Sequence, residues 1–282
     1  MENIIIANQE KFEQIKAEMK KGGALALHIL ADFDRTLTKT FVNQKKVGSL
    51  LTVLRESNIL PQEYRQKSQG LFDYYHPLEI DGLLSKEEKK KMMAEWWSKA
   101  FDLMISFGFN KIHLQKIIDT GLVEFREKAK EFFEILNKND IPLVIISASG
   151  AGEAIGLFLK KQGFLSDDIF VISNSFEWDK QGKATRPKLP VIHTLIKDEI
   201  LIKEFPEIFA KVESRKNVIL LGDNIEDGAM TEGFEYDNLI KIGFLNEKVE
   251  ENLGAYKKYF DAIILNDGSM DFVNKFLREI TS

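Results

Sequence analysis

The chain has 282 residues, a formal net charge of −5, 44% hydrophobic and 29% charged residues, and no cysteine. That length suits one large domain, or a core with an insertion, in an ordinary soluble globular protein. The acidic balance argues against a polycationic nucleic-acid binder, and the lack of thiols excludes disulfides, thiolate catalysis and cysteine–zinc sites.

The N-terminus, MENIIIANQEKFEQIKAEMKKGG, has an acidic second residue and a short apolar run, so no secretory signal is expected. No stretch approaches the roughly 18 apolar residues of a membrane-spanning helix, and a cytoplasmic protein without a membrane partner is expected. Phe12, Ile15 and Met19 recur at helical spacing, and Gly22-Gly23 stops that helix. Leu25, Leu27, Ile29, Leu30 and Ala31 then read as a buried strand that runs into Asp32-Phe33-Asp34. From about residue 41 to 118 the segments VGSLLTVLRESNIL, KEEKKKMMAEWWSKAFDLMISFGF and KIHLQKIIDTGL read as helices, punctuated by Pro61, Pro77 and Gly82, with no convincing strand. The KEEKKK run reads as a solvated helix face.

A helix over 122–137 and a turn at Asn139-Asp140 lead into the buried strand IPLVIIS. Beyond it the pattern alternates. A helix near 154–162 precedes strand IFVISN and the hairpin-like SFEWDKQGKATRPK. A helix over 192–205 precedes strand NVILLGD and a short helix, and strand LIKIGFL, a helix from Glu247, strand AIILN and a last helix follow. Apolar strands alternating with amphipathic helices predict an α/β fold with a parallel sheet covered on both faces. Ligands of such sheets gather at the carboxyl ends of the strands, where Asp32, Ser147 and Asp223 all fall.

Alone, D-x-D reads sooner as a solvated loop; convergence with other strand ends gives it chemical meaning. Side-chain alternation points Asp32 and Asp34 the same way, and like charges that close call for a cation between them. Asp32 has the chemistry to attack phosphorus, and Asp34 to protonate a leaving oxygen and then deprotonate water. Ser147, in the small-residue turn ISASG, offers a hydroxyl and following amides to a phosphoryl group. A lysine, Lys197 or Lys188, would neutralise the charge developing there. Asp223 and Asp227, four residues apart, would share one face of a helix beginning at that point and suit magnesium. His28 and His193, in apolar surroundings, read as packed histidines.

The order D-x-D-x-T, Ser, Lys and G-D-x-x-x-D resembles that of the haloacid dehalogenase-like phosphohydrolases. Within them the chain is similar to the cytosolic pyrimidine 5′-nucleotidase family, the type III nucleotidases. The resemblance runs from about residue 25 to the end, through DFDRTLT, PLEID, EEKKKMMAEWWSK, SASG, VISNSFEWDKQG, VIHTLIKDE, VILLGDNIEDGAM, LIKIGFLNEKVEENL and YFDAIIL. It implies a Rossmann-like core over 1–40 and 119–282 with an inserted helical cap over 41–118. It also implies magnesium-dependent hydrolysis of CMP and UMP through an aspartyl-phosphate. Asp32 would be nucleophile and magnesium ligand. Asp34 would be acid–base and bind magnesium through its carbonyl. Ser147 and Ala148 would hold phosphate, the I-H-x-x-x-K segment selects Lys197, Asp223 would complete the magnesium site, and Asp227 would support it.

In the cap, Glu79 would read the base, an acceptor for cytosine N4, and Trp97 would pack on the ring. Trp96 and Trp97 each read equally as cap packing, and His76 near the proposed pocket is left without a role. Two departures stand out: Ala100 where family members carry a serine, and G-D-N-I-E-D in place of G-D-S-Q-G-D. The first speaks against bulky or methylated purines. The alternatives are another small phosphomonoester, such as a sugar phosphate or phosphoserine, and a non-catalytic nucleotide-binding protein. No apolar stripe is left unassigned, so a monomer is expected.

Overall fold

The computed structural model describes residues 4–197, 202, 204–231 and 235–282. Strand β1 (Ile4–Ile6) and helix α1 (Gln9–Gly22) come first, the helix capped by Asn8, whose side chain accepts from the Lys11 amide at 3.0 Å. Gly23, at φ 57°, ends it in the left-handed region that favours glycine. Strand β2 (Leu27–Ala31) is wholly buried and delivers Asp32. A hairpin of β3 (Phe41–Val42) and β4 (Lys45–Lys46) follows, then α2 (Leu50–Glu56), α3 (Gln62–Ile80), α4 (Lys86–Ser106), α5 (Lys111–Asp119) and α6 (Ala129–Lys138). Next come β5 (Leu143–Ser147), α7 (Glu153–Gln162), β6 (Ile169–Ser173), the hairpin of β7 (Phe176–Trp178) and β8 (Ala184–Pro187), and a 3-10 turn at Thr194–Ile196. A helix at Pro206–Val212, β9 (Asn217–Gly222), a 3-10 turn at Ile225–Thr231, β10 (Asn238–Leu245), a helix at Val249–Tyr259, β11 (Ala262–Leu265) and a helix at Asp271–Thr281 complete the chain.

The main sheet has the order β1-β11-β10-β9-β2-β5-β6, parallel throughout except for β1 at its edge. Side-chain alternation sorts the central strands into two cores. Leu27, Ile29, Ala31, Leu143, Ile145, Ile219 and Leu221 join one; Leu30, Val144, Ile146, Val218 and Leu220 join the other. Burial on both faces explains the continuous apolar runs. Strand β2 lies between β9 and β5, so the ends carrying Asp32, Asp223 and Ser147 are immediate neighbours.

Four expectations change. The helix expected over 122–137 begins only at Ala129. Residues before it run extended along the D-x-D loop, where Lys39 N–H donates to Glu124 at 2.9 Å and Arg126 N–H to Leu37 at 3.0 Å, and that pairing overrides helical periodicity. The segment over 41–118 holds the small β3–β4 hairpin, turned by Asn43 and Gln44 at positive φ. Pro77 does not punctuate: α3 continues through it to Ile80, losing one ladder donor while Tyr75 stacks on Trp96 with ring centres 5.7 Å apart. The helix expected over 192–205 shows a 3-10 turn at Thr194–Ile196, and most of its remainder lies outside the described residues.

Candidate active site

Lys197 is the hub of a buried charge cluster. Its Nζ donates to Asp32 Oδ1 in a short contact and to Asp227 Oδ1 at 3.1 Å, and all three residues are nearly inaccessible. Carboxylate oxygens of Asp32, Asp223 and Asp227 lie within 4.8 Å of one another. Burial opposes the Lys197 charge, yet Asp227 and Asp32 hold the ammonium above the ordinary lysine range. Burial pushes the Asp32 carboxyl up, and Lys197 pulls it back. Lys188, the other candidate from sequence, is exposed on the chain after β8.

Asp223 and Asp227 do not share an α-helical face. The chain turns into a 3-10 segment, and Asp227 folds back so that its Oδ2 accepts from the amides of Asp223 at 3.1 Å and Asn224 at 2.9 Å. Gly222 permits this, since a Cβ there would come within 2.6 Å of the Asp227 Cβ. Asp223 faces Arg35, whose Nε lies 3.2 Å from its Oδ2, and burial raises its pKa against that pull. Asp34 Oδ1 accepts from the Leu50 amide at 3.2 Å, tying the D-x-D loop to the start of α2. Burial lifts Asp34 to about 6, in the range of a working acid at neutral pH.

Ser147 ends β5, and its Oγ accepts from the Ser149 amide at 3.1 Å. Ala148 is 9% exposed, and its carbonyl accepts from Asn174 Nδ2 at 3.1 Å. Trp97 stands against this turn: a Cβ on Gly150 would come within 2.7 Å of its Cζ3, so glycine is what lets α4 approach. Trp96 stacks between neighbours in sequence and space, 5.7 Å from Tyr75 and 6.3 Å from Trp97. Ala100 is buried on the same helix. Glu79, on the last turn of α3, accepts from the Thr194 hydroxyl at 3.0 Å through Oε1, and its Oε2 lies 3.2 Å from His76 Nδ1. A cavity of about 360 Å³ opens beside Asp223 and Arg35, with Ile80 from α3 also on its wall.

His28 and His193 stay out of the site, as expected. His28 Nδ1 lies 2.8 Å from the Arg215 carbonyl. His193 Nδ1 accepts from Leu195, and burial, with Lys90 nearby, lowers its pKa to about 4.

Several residues escaped the sequence reading. Arg126, 2% exposed, donates to the carbonyls of Arg35 and Thr36 and so clamps the D-x-D loop. Asn174 ties the phosphate-type turn to the approach to Lys197, donating to the Ile192 carbonyl and accepting from its amide, both at 2.8 Å. The hydroxyls of Thr36 and Ser149 are buried without protein partners. Asn174, a polar residue just past a buried strand at the sheet's carboxyl end, carried a usable signal; Arg126, within an apparent helix, carried none.

A parallel sheet whose adjacent strand ends bring together a D-x-D-x-T loop, a serine turn, a lysine and a G-D-x-x-x-D loop defines a haloacid dehalogenase-like phosphohydrolase. Residues 35–281 match the family described as pyrimidine 5′-nucleotidase (UMPH-1), and the chain belongs to it. It is therefore a 5′-nucleotidase, a phosphohydrolase acting on nucleoside monophosphates. The 7-methylguanosine phosphate-specific 5′-nucleotidase A of Xenopus laevis is 36% identical over 275 residues, 97% of this chain and 93% of that one. A solved structure of cytosolic 5′-nucleotidase IIIB bound to cytidine superposes with a TM-score of 0.90 at 29% identity, covering 99% of this chain and 94% of that one. Phosphoserine phosphatase shares the fold alone, with a TM-score of 0.53 at 18% identity over 88% of this chain and 97% of that one.

Proposed function

We propose that this chain is a magnesium-dependent phosphomonoesterase that hydrolyses pyrimidine nucleoside 5′-monophosphates, CMP and UMP, in the cytoplasm, as a monomer. The buried contact between Lys197 and Asp32 carries the chemical half of this reading, because a binding module needs no such nucleophile–cation pair. Asp32 attacks phosphorus, the bond from phosphorus to the ribose 5′ oxygen breaks, and Asp34 gives that oxygen a proton. Water then attacks the aspartyl-phosphate, Asp34 takes its proton, and phosphate leaves. Lys197 neutralises the phosphoryl oxygens, which Ser147 and the Ala148 amide also hold.

The donor set fits magnesium: three carboxylates within 4.8 Å supply hard oxygens and need a cation. Asp32, Asp223 and the Asp34 carbonyl would hold the ion, with Asp227 supporting from behind, since its oxygens already accept from Lys197 and two amides. The ion would supply charge stabilisation on the phosphoryl group.

Residues 41–118 act as the cap over a core of 1–40 and 119–282. Glu79 reads the base there and Trp97 packs on it; the position of Trp97 against Gly150 supports this. The cytidine-bound relative supports a pyrimidine, and its name supports the cytosol. A second reading, a 7-methylguanosine monophosphate, rests on the name of the Xenopus relative. Phosphate release from CMP, UMP, 7-methylguanosine 5′-monophosphate and p-nitrophenyl phosphate, with magnesium and with EDTA, tests the substrate and the metal. Release from CMP that EDTA abolishes is expected. No release from CMP or UMP at saturating magnesium overturns the pyrimidine assignment, and turnover surviving EDTA overturns the metal.

A further inference from the structure

We propose that Thr194 is a positioning residue for base selection: its hydroxyl fixes the Glu79 carboxylate of α3 against the segment that carries Lys197. This rests on the base-reading role given to Glu79 above. Thr194 lies 115 positions from Glu79 in sequence, yet its Oγ1 donates to Glu79 Oε1 at 3.0 Å. Within its own helix, His76 Nδ1 stands 3.2 Å from the other oxygen, Oε2. His76 is itself stacked on Phe72, with ring centres 4.7 Å apart. The carboxylate is thus gripped once on each oxygen, from two directions.

A carboxylate has about four acceptor positions, so both grips leave acceptor capacity for an amino group on a base. A glutamate at a helix end is otherwise a flexible reader, because its terminal torsion is broad. Gripping it removes freedom that binding would have to remove, which is how preorganisation raises affinity and selectivity. The grip also reaches the chemistry. Thr194 opens the 3-10 turn Thr194–Ile196, and Lys197 is the residue that closes it. A base seated on Glu79 therefore braces the same short turn that presents Lys197 to Asp32. The ligand class is a nucleotide whose base offers a hydrogen-bond donor at that edge.

Four proteins test this: Thr194→Val, Thr194→Ser, Glu79→Ala and the Thr194→Val/Glu79→Ala double variant, each assayed on CMP and on p-nitrophenyl phosphate. Valine keeps the shape and removes the donor. The expected result is a fall of about tenfold in the ratio of kcat/KM for CMP to that for p-nitrophenyl phosphate, mostly through KM, as one hydrogen bond to a charged group would give. Serine should restore the ratio. The double variant should match Glu79→Ala alone, because Thr194 acts through Glu79. If Glu79→Ala shifts the ratio and Thr194→Val does not, the role of Thr194 is overturned while base reading stands. An equal fall on both substrates, or additive losses in the double variant, also overturns it. A ratio unmoved by Glu79→Ala removes the base-reading role itself, and this proposal with it.

Discussion

At the end of the sheet, Asp227 is held by two main-chain amides as well as by Lys197, whereas Glu79 on the helices above is held by two other side chains alone. The difference in material matters. Those amides follow directly on β9, which the ladders to β2 and β10 fix, so the carboxylate they hold survives many changes elsewhere in the sequence. A threonine and a histidine are each one substitution from being something else. With Glu79 as the proposed base reader, one fold could keep its phosphoryl chemistry while the side chains around Glu79 retune the choice of base.

The largest expected effects lie on the sheet. Asp32→Asn should cut turnover of every ester by roughly 10⁴-fold or more, because a neutral amide does not attack phosphorus and loss of a nucleophile has costs of that order. Phosphate release in single-turnover assays reads this directly, and activity within tenfold of the parent would remove Asp32 as nucleophile. Asp34→Asn should cost about 10²–10⁴-fold on CMP, the usual range for a general acid. The activated ester p-nitrophenyl phosphate needs little protonation and should lose less in its first step. Equal losses on both esters would leave the acid role unsupported.

On the helices the scale drops. Glu79→Ala should raise KM for CMP by about tenfold, since a charge-assisted hydrogen bond contributes roughly 1.5–3 kcal/mol. An ester without a base should respond much less. UMP presents an acceptor where cytosine presents a donor, so its KM should also move less. A tenfold rise shared by all three substrates would mean that Glu79 holds the structure and not the base.

The same contrast explains what the sequence disclosed. Strand β2, β5 and β9 positions were legible because burial on both faces demands unbroken apolar runs, and the residues that end such runs stand out. Asp32, Ser147 and Asp223 are such residues. Resemblance then added Glu79 and Trp97, which no periodicity would have singled out. Arg126 stayed hidden because its neighbourhood has helical spacing, and only the long-range pairing of Leu37 and Thr38 with residues 125–126 pulls the chain straight. Thr194 was equally illegible: its partner is 115 residues away, and a lone threonine before a lysine has no pattern. Local patterns report local demands, and contacts between the sheet and the helices over it are not local.

The last expected effect needs no turnover. Three carboxylates within 4.8 Å repel one another, and a divalent cation that binds only the folded chain stabilises it. At free magnesium about 100 times its Kd the gain is about 2.7 kcal/mol. For a chain of this size each kcal/mol moves Tm by about 2 °C, so a rise of about 5 °C is expected, reversed by EDTA. Asp223→Asn should abolish most of that rise. Without metal the same variant should unfold close to the parent, because relief of the repulsion offsets loss of the Arg35 pair, in which the arginine side chain is 40% exposed and the aspartate 9%. Glu79→Ala should keep the full magnesium shift, because Glu79 is not among the clustered carboxylates. A shift that Asp223→Asn left intact would move the cation away from the strand ends. A shift that Glu79→Ala abolished would couple the two regions far more tightly than the single contact from Thr194 to Glu79 implies.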